Sequence, residues 1–516
     1  MARISLLLAA LALGACDASA ECATPDDCVE RSVDVVVHDD RVIRTDGLDS
    51  FFSFNLNHFR FERDLMTPAG DVDESVLEHL DRMPSVYYRY PGGLVANSFS
   101  WEAAVGAVGE RPTQASVDHS GAAPVRFGVG EYFDFVADVG GRPWYVLNLL
   151  GWSAEQPDAE LPLAEVTASN ARLAEYVASR VDRDTPVYFQ LGNELDRSVY
   201  QWPVEKYVER SQATMDAMRK ALPEARFVAF LRDFDWTYKG KDPRAGSKSR
   251  YRDFIADVLD GLPGVEDFSL HFYYDDPGLD KRTKRMDWRL RQIEAAIDVA
   301  RAARGGTVPN VWITEHARGV NLQRGKGMSR AALTSNLSAS VSTADFLIGL
   351  AQIPEVKGAF WHGINAGPWQ LFDATVKHRD LRPRPVYWGY RVLQSVLLDE
   401  TLATETAPQP GAQYGGGYDV RAAAFRAADG DTLGLWVANR RNEPVRLVVH
   451  YTPYSGDAVT LTRYSMFGPA GADADDPALE PVIELDPQAV DARVDGDGRF
   501  AIVVGPSSVT AVSISR

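Results

Sequence analysis

Cysteine is scarce in this chain of 516 residues: there are three, Cys16, Cys22 and Cys28, all near the start. None is left for the body of the protein, and a structural zinc site, which wants four ligands, has no cysteine and histidine set to draw on. Histidine numbers only nine and forms no Asp- or Glu-containing cluster at metal spacing. After the first few residues no apolar run of about 18 or more residues occurs, so the rest of the chain reads as globular. Positive charge is in deficit, with 54 Lys and Arg against 72 Asp and Glu and a net charge of −18. That argues against nucleic acid as a partner, because phosphate contacts need a basic face. No glycine loop of the nicotinamide- or phosphate-binding kind is present, and no cofactor or metal is expected.

What is present begins with a processing signal. Arg3 precedes the apolar run Ile4 to Leu13, which ends in Leu13-Gly14-Ala15-Cys16. A positive start, a short apolar stretch and small residues before a cut site read as an export signal, too short to span a membrane. The Leu-Gly-Ala-Cys ending resembles the lipobox of bacterial lipoproteins, which implies that Cys16 becomes a lipid-modified N-terminus. The protein would then meet the membrane, periplasmic or cell-surface, through that lipid anchor only. An ordinary secretory cut nearer Ala18-Ser19-Ala20 is the alternative. An oxidising compartment would favour a small disulfide between Cys22 and Cys28.

The remainder is long enough for two domains. Eight short apolar runs follow one another: Phe51 to Leu56, Val86 to Tyr90, Trp144 to Leu149, Val187 to Leu191, Arg226 to Phe230, Phe268 to Phe272, Val311 to Thr314 and Gly358 to Trp361. Helical periodicity lies between them, clearest over Ala168 to Val181, Val204 to Ala221 and Arg289 to Ala303. Strand alternating with helix predicts an α/β fold, an eight-stranded (β/α)8 TIM barrel. After the helix Tyr387 to Leu398 the pattern changes to β-like runs separated by Gly, Asp and Pro, which predicts a C-terminal antiparallel β-sandwich. Val33 to Val37 and Arg41 to Arg44 read as a hairpin turning at His38-Asp39-Asp40 and joining that sandwich. The expected division is signal peptide 1–16, linker and hairpin 17–45, barrel 46–398 and sandwich 399–516, the sandwich covering the flank of the barrel.

Two strand ends carry the chemistry. Val187 to Leu191 leads into Asn193-Glu194, and Val311 to Thr314 into Glu315-His316, the two glutamates standing 121 residues apart. At roughly 40 residues per strand-helix repeat that is about three repeats, so both face the mouth from strands 4 and 7. A pair of carboxyl groups across a sugar is what glycoside hydrolysis requires, one to protonate the leaving oxygen and one to attack or to activate water.

The motifs LGNE and ITEH resemble those of the retaining glycoside hydrolases of clan A. Arg89-Tyr-Pro-Gly-Gly, with Trp101, Gly106 and Arg111-Pro112, resembles the segment after strand 2 of glycoside hydrolase family 51, the α-L-arabinofuranosidases, and Ser269-Leu-His-Phe-Tyr-Tyr274 resembles that family's strand 6. The likeness covers roughly residues 50 to 395. It implies Glu194 as acid/base and Glu315 as nucleophile. Asn193 would offer its amide to the sugar 2-OH, and Arg89 would hold Glu315 ionised. His271 and Tyr273 are candidates to hydrogen-bond Glu315, His271 being as readily a packed core residue. Trp361, ending strand 8, would floor the sugar site, and Gly92-Gly93 would let the backbone turn where a side chain would not fit.

Three segments add a further expectation. Residues 232–252 hold seven Lys or Arg against three acids, 273–291 six against four, and 315–330 four against one. A positive field over the catalytic face favours anionic ligands, although charge runs are usually solvated surface. The substrate alternatives are therefore a neutral arabinofuranoside and a uronic-acid or sulfated glycan of the kind cleaved by the related glucuronidase and heparanase family 79. A non-catalytic surface glycan-binding protein is the alternative from another class.

Overall fold

The computed structural model describes residues 29, 31–115, 122–151, 160–182, 185–196, 200, 202–231, 248–275, 286–307, 309–319, 330–365, 367–373, 381–409 and 418–516. Cys16, Cys22 and Cys28 lie outside them, as do Lys239, Lys241 and Lys284 in the basic segments. Among the described residues no helix is long and apolar enough to cross a membrane.

Eight parallel strands close into a barrel in chain order: Ser53–Asn55, Tyr87–Tyr90, Arg142–Val146, Tyr188–Gln190, Arg226–Phe230, Asp267–Tyr274, Asn310–Arg318 and Val356–Trp361. Each falls on one of the eight apolar runs, although the first four are shorter than the runs that announce them. Along these strands successive side chains alternate between barrel interior and helix layer. The inward set at the amino-terminal end is aromatic: Tyr87, Trp144, Tyr188, Trp312 and Phe360 form one cluster with Val228. Trp144 stacks on Tyr188 at 4.7 Å, and Trp312 meets Trp144 edge-on at 5.1 Å. Such pairs add about 0.5–1.5 kcal/mol each beyond their buried area, so the bottom of the barrel is a firm plug. Asp267 accepts from Trp312 Nε1 at 2.7 Å within the plug, and the other polar residues of the site sit above it, toward the carboxyl ends of the strands.

The second body is a curled sheet of ten strands around its own apolar core, in which Val35, Leu435, Leu447 and Ile514 are buried. Its neighbours are antiparallel except where Ser32–Arg44 runs parallel to Val445–His450. The expected hairpin is corrected here. Ser32–Arg44 is one strand that keeps pairing with Glu400–Thr406 through a register shift between His38 and Val42. His38 still pairs with Ala403, and Asp39, Asp40 and Arg41 form a bulge before pairing resumes at Val42 with Leu402, so the polar residues bend the strand instead of reversing it.

Between barrel and sheet lies the helix Leu337–Ala351, buried on every side except at Ser338. Its small residues permit this: Gly389 of the neighbouring helix Pro385–Gln394 sits so close to Ser340 that a Cβ there would collide with the hydroxyl. One charge is buried with it. Asp345 receives Arg421 Nε at 2.6 Å and Arg440 Nε at 2.7 Å, both from the sheet, and Arg440 also pairs with Asp275. A buried carboxylate so compensated ties the two bodies together.

Candidate active site

Arg89 is the centre of the polar layer above the plug. Tyr87 points inward, so by alternation Arg89 does too, and it is fully buried. Its guanidinium donates to Gln190 Oε1 at 2.8 Å, to Asn193 Oδ1 at 2.6 Å, to Asn55 Oδ1 and to Glu315 Oε1 at 3.2 Å. Burial lowers its pKa from the ordinary value, and the charge of Glu315 works against that.

Glu315 reaches the interior because its strand breaks parity. Trp312 faces in, so strict alternation would turn Thr314 in and Glu315 out. One extra residue between Ile313 and Glu315 shifts the register against Asp267–Tyr274, pairing Ile313 with Leu270 but Glu315 with His271. A bulge beside an active site re-aims a side chain in this way. Glu315 then turns in and His316 turns out, where it lies between the hydroxyls of Tyr274 and Tyr390 with its pKa pushed down by burial to about 3. The histidine of the ITEH motif is a neutral core residue.

Around Glu315 the donors converge. Tyr273 Oη donates to Oε2 at 2.7 Å, His362 Nδ1 stands 3.2 Å from the same oxygen, and His271 Nδ1 is 3.5 Å away. Burial alone would raise this carboxyl, but His271, His362 and Arg89 together hold it well below the usual carboxylate range. It is an ionised carboxylate inside a protein, as a nucleophile must be.

Glu194 follows the fourth strand through Gly192 and takes a left-handed backbone conformation, φ 49°. Its loop is clamped by Asn97, which is fully buried: Asn97 Nδ2 donates to Asn193 O at 2.7 Å and Asn97 Oδ1 accepts from Asn193 N at 3.1 Å. His271 differs from its expected contact. Its Nδ1 is within 2.7 Å of Glu194 Oε1 and its Nε2 within 3.1 Å of Thr314 Oγ1, so its first carboxylate partner is Glu194 and Glu315 is only its second. One ligand atom each of Glu194, His271 and Glu315 lie within 4.8 Å of one another. That closeness would suit a cation, and it sets both carboxylates at one small site, as a pair acting on a single glycosidic bond requires.

Asn193 Nδ2 is buried with no hydrogen-bond partner among the described residues, a donor left for a ligand. A Cβ on Gly93 would stand 2.8 Å from Glu315 Oε1, and Gly92 has φ +129°, so both glycines are required where the backbone passes the carboxylate.

Trp361 is corrected. It is fully buried in the layer between strands and helices, because Phe360 faces in and the next residue must face out. Parity returns at His362, which enters the pocket and carries Trp369 with it. The Trp369 ring meets His362 at 4.2 Å and Tyr273 at 5.2 Å and is only partly buried. The aromatic wall therefore comes from the loop after strand 8. Asn55, Gln190, Asn97, His362 and Trp369 were all missed in the sequence; strand alternation carried the signal for His362, and polar residues inside apolar strands did so for Asn55 and Gln190. Most of the basic segments lies outside the described residues. Two cations counted there are already engaged in buried contacts: Arg289 donates to Tyr273 O, and Arg318 to Asp475.

Residues 79–291 match the family described as Alpha-L-arabinofuranosidase 1 domain. A structure of the family 51 arabinofuranosidase from Xanthomonas axonopodis pv. citri superposes with a TM-score of 0.71 at 17% identity, covering 94% of this chain and all of that one. The chain has the family 51 fold. An α-L-arabinofuranosidase from Thermotoga maritima, solved with arabinose, aligns as well, with a TM-score of 0.70 at 16% identity over 94% of this chain and all of that one. In sequence, the intracellular exo-α-(1→5)-L-arabinofuranosidase of Streptomyces lividans is 28% identical over 222 residues, 40% of this chain. The match spans about a third of that relative's length, 31%. The family 51 barrel with its C-terminal sandwich is thus the architecture of the chain from end to end of the alignment.

Proposed function

We propose that the protein is a retaining glycoside hydrolase of the α-L-arabinofuranosidase kind. The observation that carries this is the pair Glu194 and Glu315, within 4.8 Å through their nearest ligand atoms, with Glu315 alone embedded among Arg89, Tyr273, His271 and His362. In the first step a Glu315 carboxylate oxygen bonds to the anomeric carbon while the glycosidic bond breaks and Glu194 gives its proton to the departing oxygen. In the second, Glu194 takes a proton from water, whose oxygen attacks the same carbon and releases Glu315. Two inversions leave the anomeric configuration unchanged. Asn193 Nδ2 supplies a donor for the sugar 2-OH, and Trp369 a flat wall. The arabinofuranosyl preference rests on the domain match and on the names of the similar proteins. The lipobox-like ending supports export and anchoring through Cys16, so Cys16→Ala should leave the protein in the soluble exported fraction; unchanged partitioning would count against the anchor.

A panel of chromogenic aryl glycosides, α-L-arabinofuranosides beside glucuronides and other neutral sugars, tests the reading, with the first-formed anomer followed by NMR. Fastest turnover of the arabinofuranoside with retention supports it. Inversion would overturn the mechanism, and a faster glucuronide would overturn the sugar.

A further inference from the structure

The sandwich meets the catalytic face at Arg440, which pairs with Asp275, and at Asp475. The loop between Ala458–Phe467 and Val482–Glu484 brings Asp475 against Arg318, the last residue of the seventh barrel strand and three positions beyond Glu315. Asp475 Oδ1 accepts from Arg318 Nη1 at 2.6 Å. The same loop is seated on the buried helix: Asn336, its N-cap, donates to Asp475 O at 3.0 Å, and Ser338 N donates to Ala474 O. Arg318 is itself buried, and its Nε donates to Asp275 O at the end of the sixth strand. Its carbonyl then accepts from Trp369 Nε1 at 3.0 Å. Trp369 packs on His362 and Tyr273, and both of those touch Glu315 Oε2. A single run of contacts thus joins the sandwich loop to the wall of the pocket and the nucleophile.

We infer that Asp475, on the C-terminal domain, is a positioning residue: by fixing Arg318 it sets Trp369 and the His362–Tyr273 pair against Glu315. Arg318 has three anchors at its guanidinium besides Asp475, the Asp275 carbonyl at 3.1 Å, the Leu333 carbonyl at 3.1 Å and Asn336 Oδ1 at 3.3 Å, all longer and uncharged. The charged, shortest bond selects its conformation. Held at 2.6 Å to one side and bonded through its own carbonyl on the other, Arg318 cannot shift without moving the indole. A displacement of about 1 Å in a positioning group can cost on the order of 100-fold in rate.

The inference rests on the glycosidase reading for its kinetic arm and not for its structural one. Asp475→Ala is compared with Asp475→Glu and with Asp419→Asn, which breaks a neighbouring ion pair of the same domain, Asp419 with Arg441 at 2.6 Å, lining the same cavity but outside the run of contacts through Arg318. Asp475 is partly exposed, so the full-length variant is expected to fold. Expected are a loss of about 10- to 100-fold in kcat with a smaller change in KM for Asp475→Ala, substantial recovery in Asp475→Glu, and wild-type kcat in Asp419→Asn. In parallel, amide exchange over residues 367–373 should rise in Asp475→Ala and not in Asp419→Asn. Equal kcat in the two neutralising variants, or unchanged exchange over 367–373, overturns the inference. If the wild type hydrolyses no glycoside of the panel, that failure belongs to the proposed activity, and the exchange result alone decides for or against the positioning role.

Discussion

Nδ1 of His271 stands 2.7 Å from Oε1 of Glu194, closer than it comes to Glu315. Under the proposed mechanism the imidazole therefore serves the residue that changes protonation state during turnover. With Thr314 Oγ1 at its other nitrogen, it can donate to Glu194 once the proton has left. His271→Ala should lower kcat/KM on alkyl glycosides by about 100-fold, within the range of general acid–base effects. The loss on a nitrophenyl glycoside, which needs little protonation, should be far smaller. Equal losses on both would place His271 with the nucleophile.

Glu315→Ala should abolish turnover on every substrate. Glu194→Ala should keep activity on glycosides with good leaving groups and regain it with azide, which needs no general base to attack the intermediate. The two variants are told apart by assaying a nitrophenyl glycoside with and without azide.

Burial works to raise the Glu315 carboxyl, yet His271, His362 and Arg89 outweigh it and leave its pKa well below 4.5. A depressed folded-state value means that what the carboxylate contributes is present above the ordinary pKa and lost only as pH falls through the lowered one. The acid limb of kcat/KM should accordingly lie below pH 4.5, and His362→Phe should move it upward. A limb that stays in place would show that His362 does not act on Glu315.

Gly93→Ala puts a methyl group 2.8 Å from Glu315 Oε1. The φ of −77° is ordinary but the ψ of −113° lies outside the regions that side-chain-bearing residues favour, so alanine strains the chain as well as crowding the carboxylate. Activity should drop by about 100-fold or more from misplacement, and the thermal midpoint should fall with it.

Arg440→Met leaves Asp275 without its pairing partner and Asp345 with Arg421 alone. Breaking a buried ion pair from one side costs about 3–5 kcal/mol. Denaturant unfolding should show that loss, and Asp345→Leu combined with Arg440→Met should recover part of it.

The barrel was legible because its strands are apolar runs bounded by turn residues, and Arg226–Phe230 even keeps its expected ends. Glu194 and Glu315 stood out as acids at strand ends. What stayed hidden depended on parity. Nothing in the letters VWITEH says that one residue is extra, yet the bulge before Glu315 decides that the glutamate faces the pocket and the histidine the core. Trp361 was misjudged for the complementary reason: its strand is regular from Gly358 onward, and counting from Phe360 would have sent it outward. Ser32–Arg44 read as two strands because His38-Asp39-Asp40 is polar enough for a turn, whereas pairing with Glu400–Thr406 carries it through. Contacts between domains, such as Arg318 with Asp475, join residues 157 positions apart and leave no local trace.

Glu194 occupies a backbone conformation that side chains enter at a cost of about 1–3 kcal/mol. Glycine or asparagine would enter that conformation at less cost, so a glutamate there gives up some stability for the acid/base role proposed for it. A lineage that stopped cleaving sugars would gain stability by replacing it, and Glu194→Gly should melt at a higher temperature than the parent while remaining inactive toward substrates that need acid assistance. Under the proposed mechanism the residue is thus a marker of use: a glutamate kept there against its backbone cost goes with cleavage, and glycine in its place would go with binding alone.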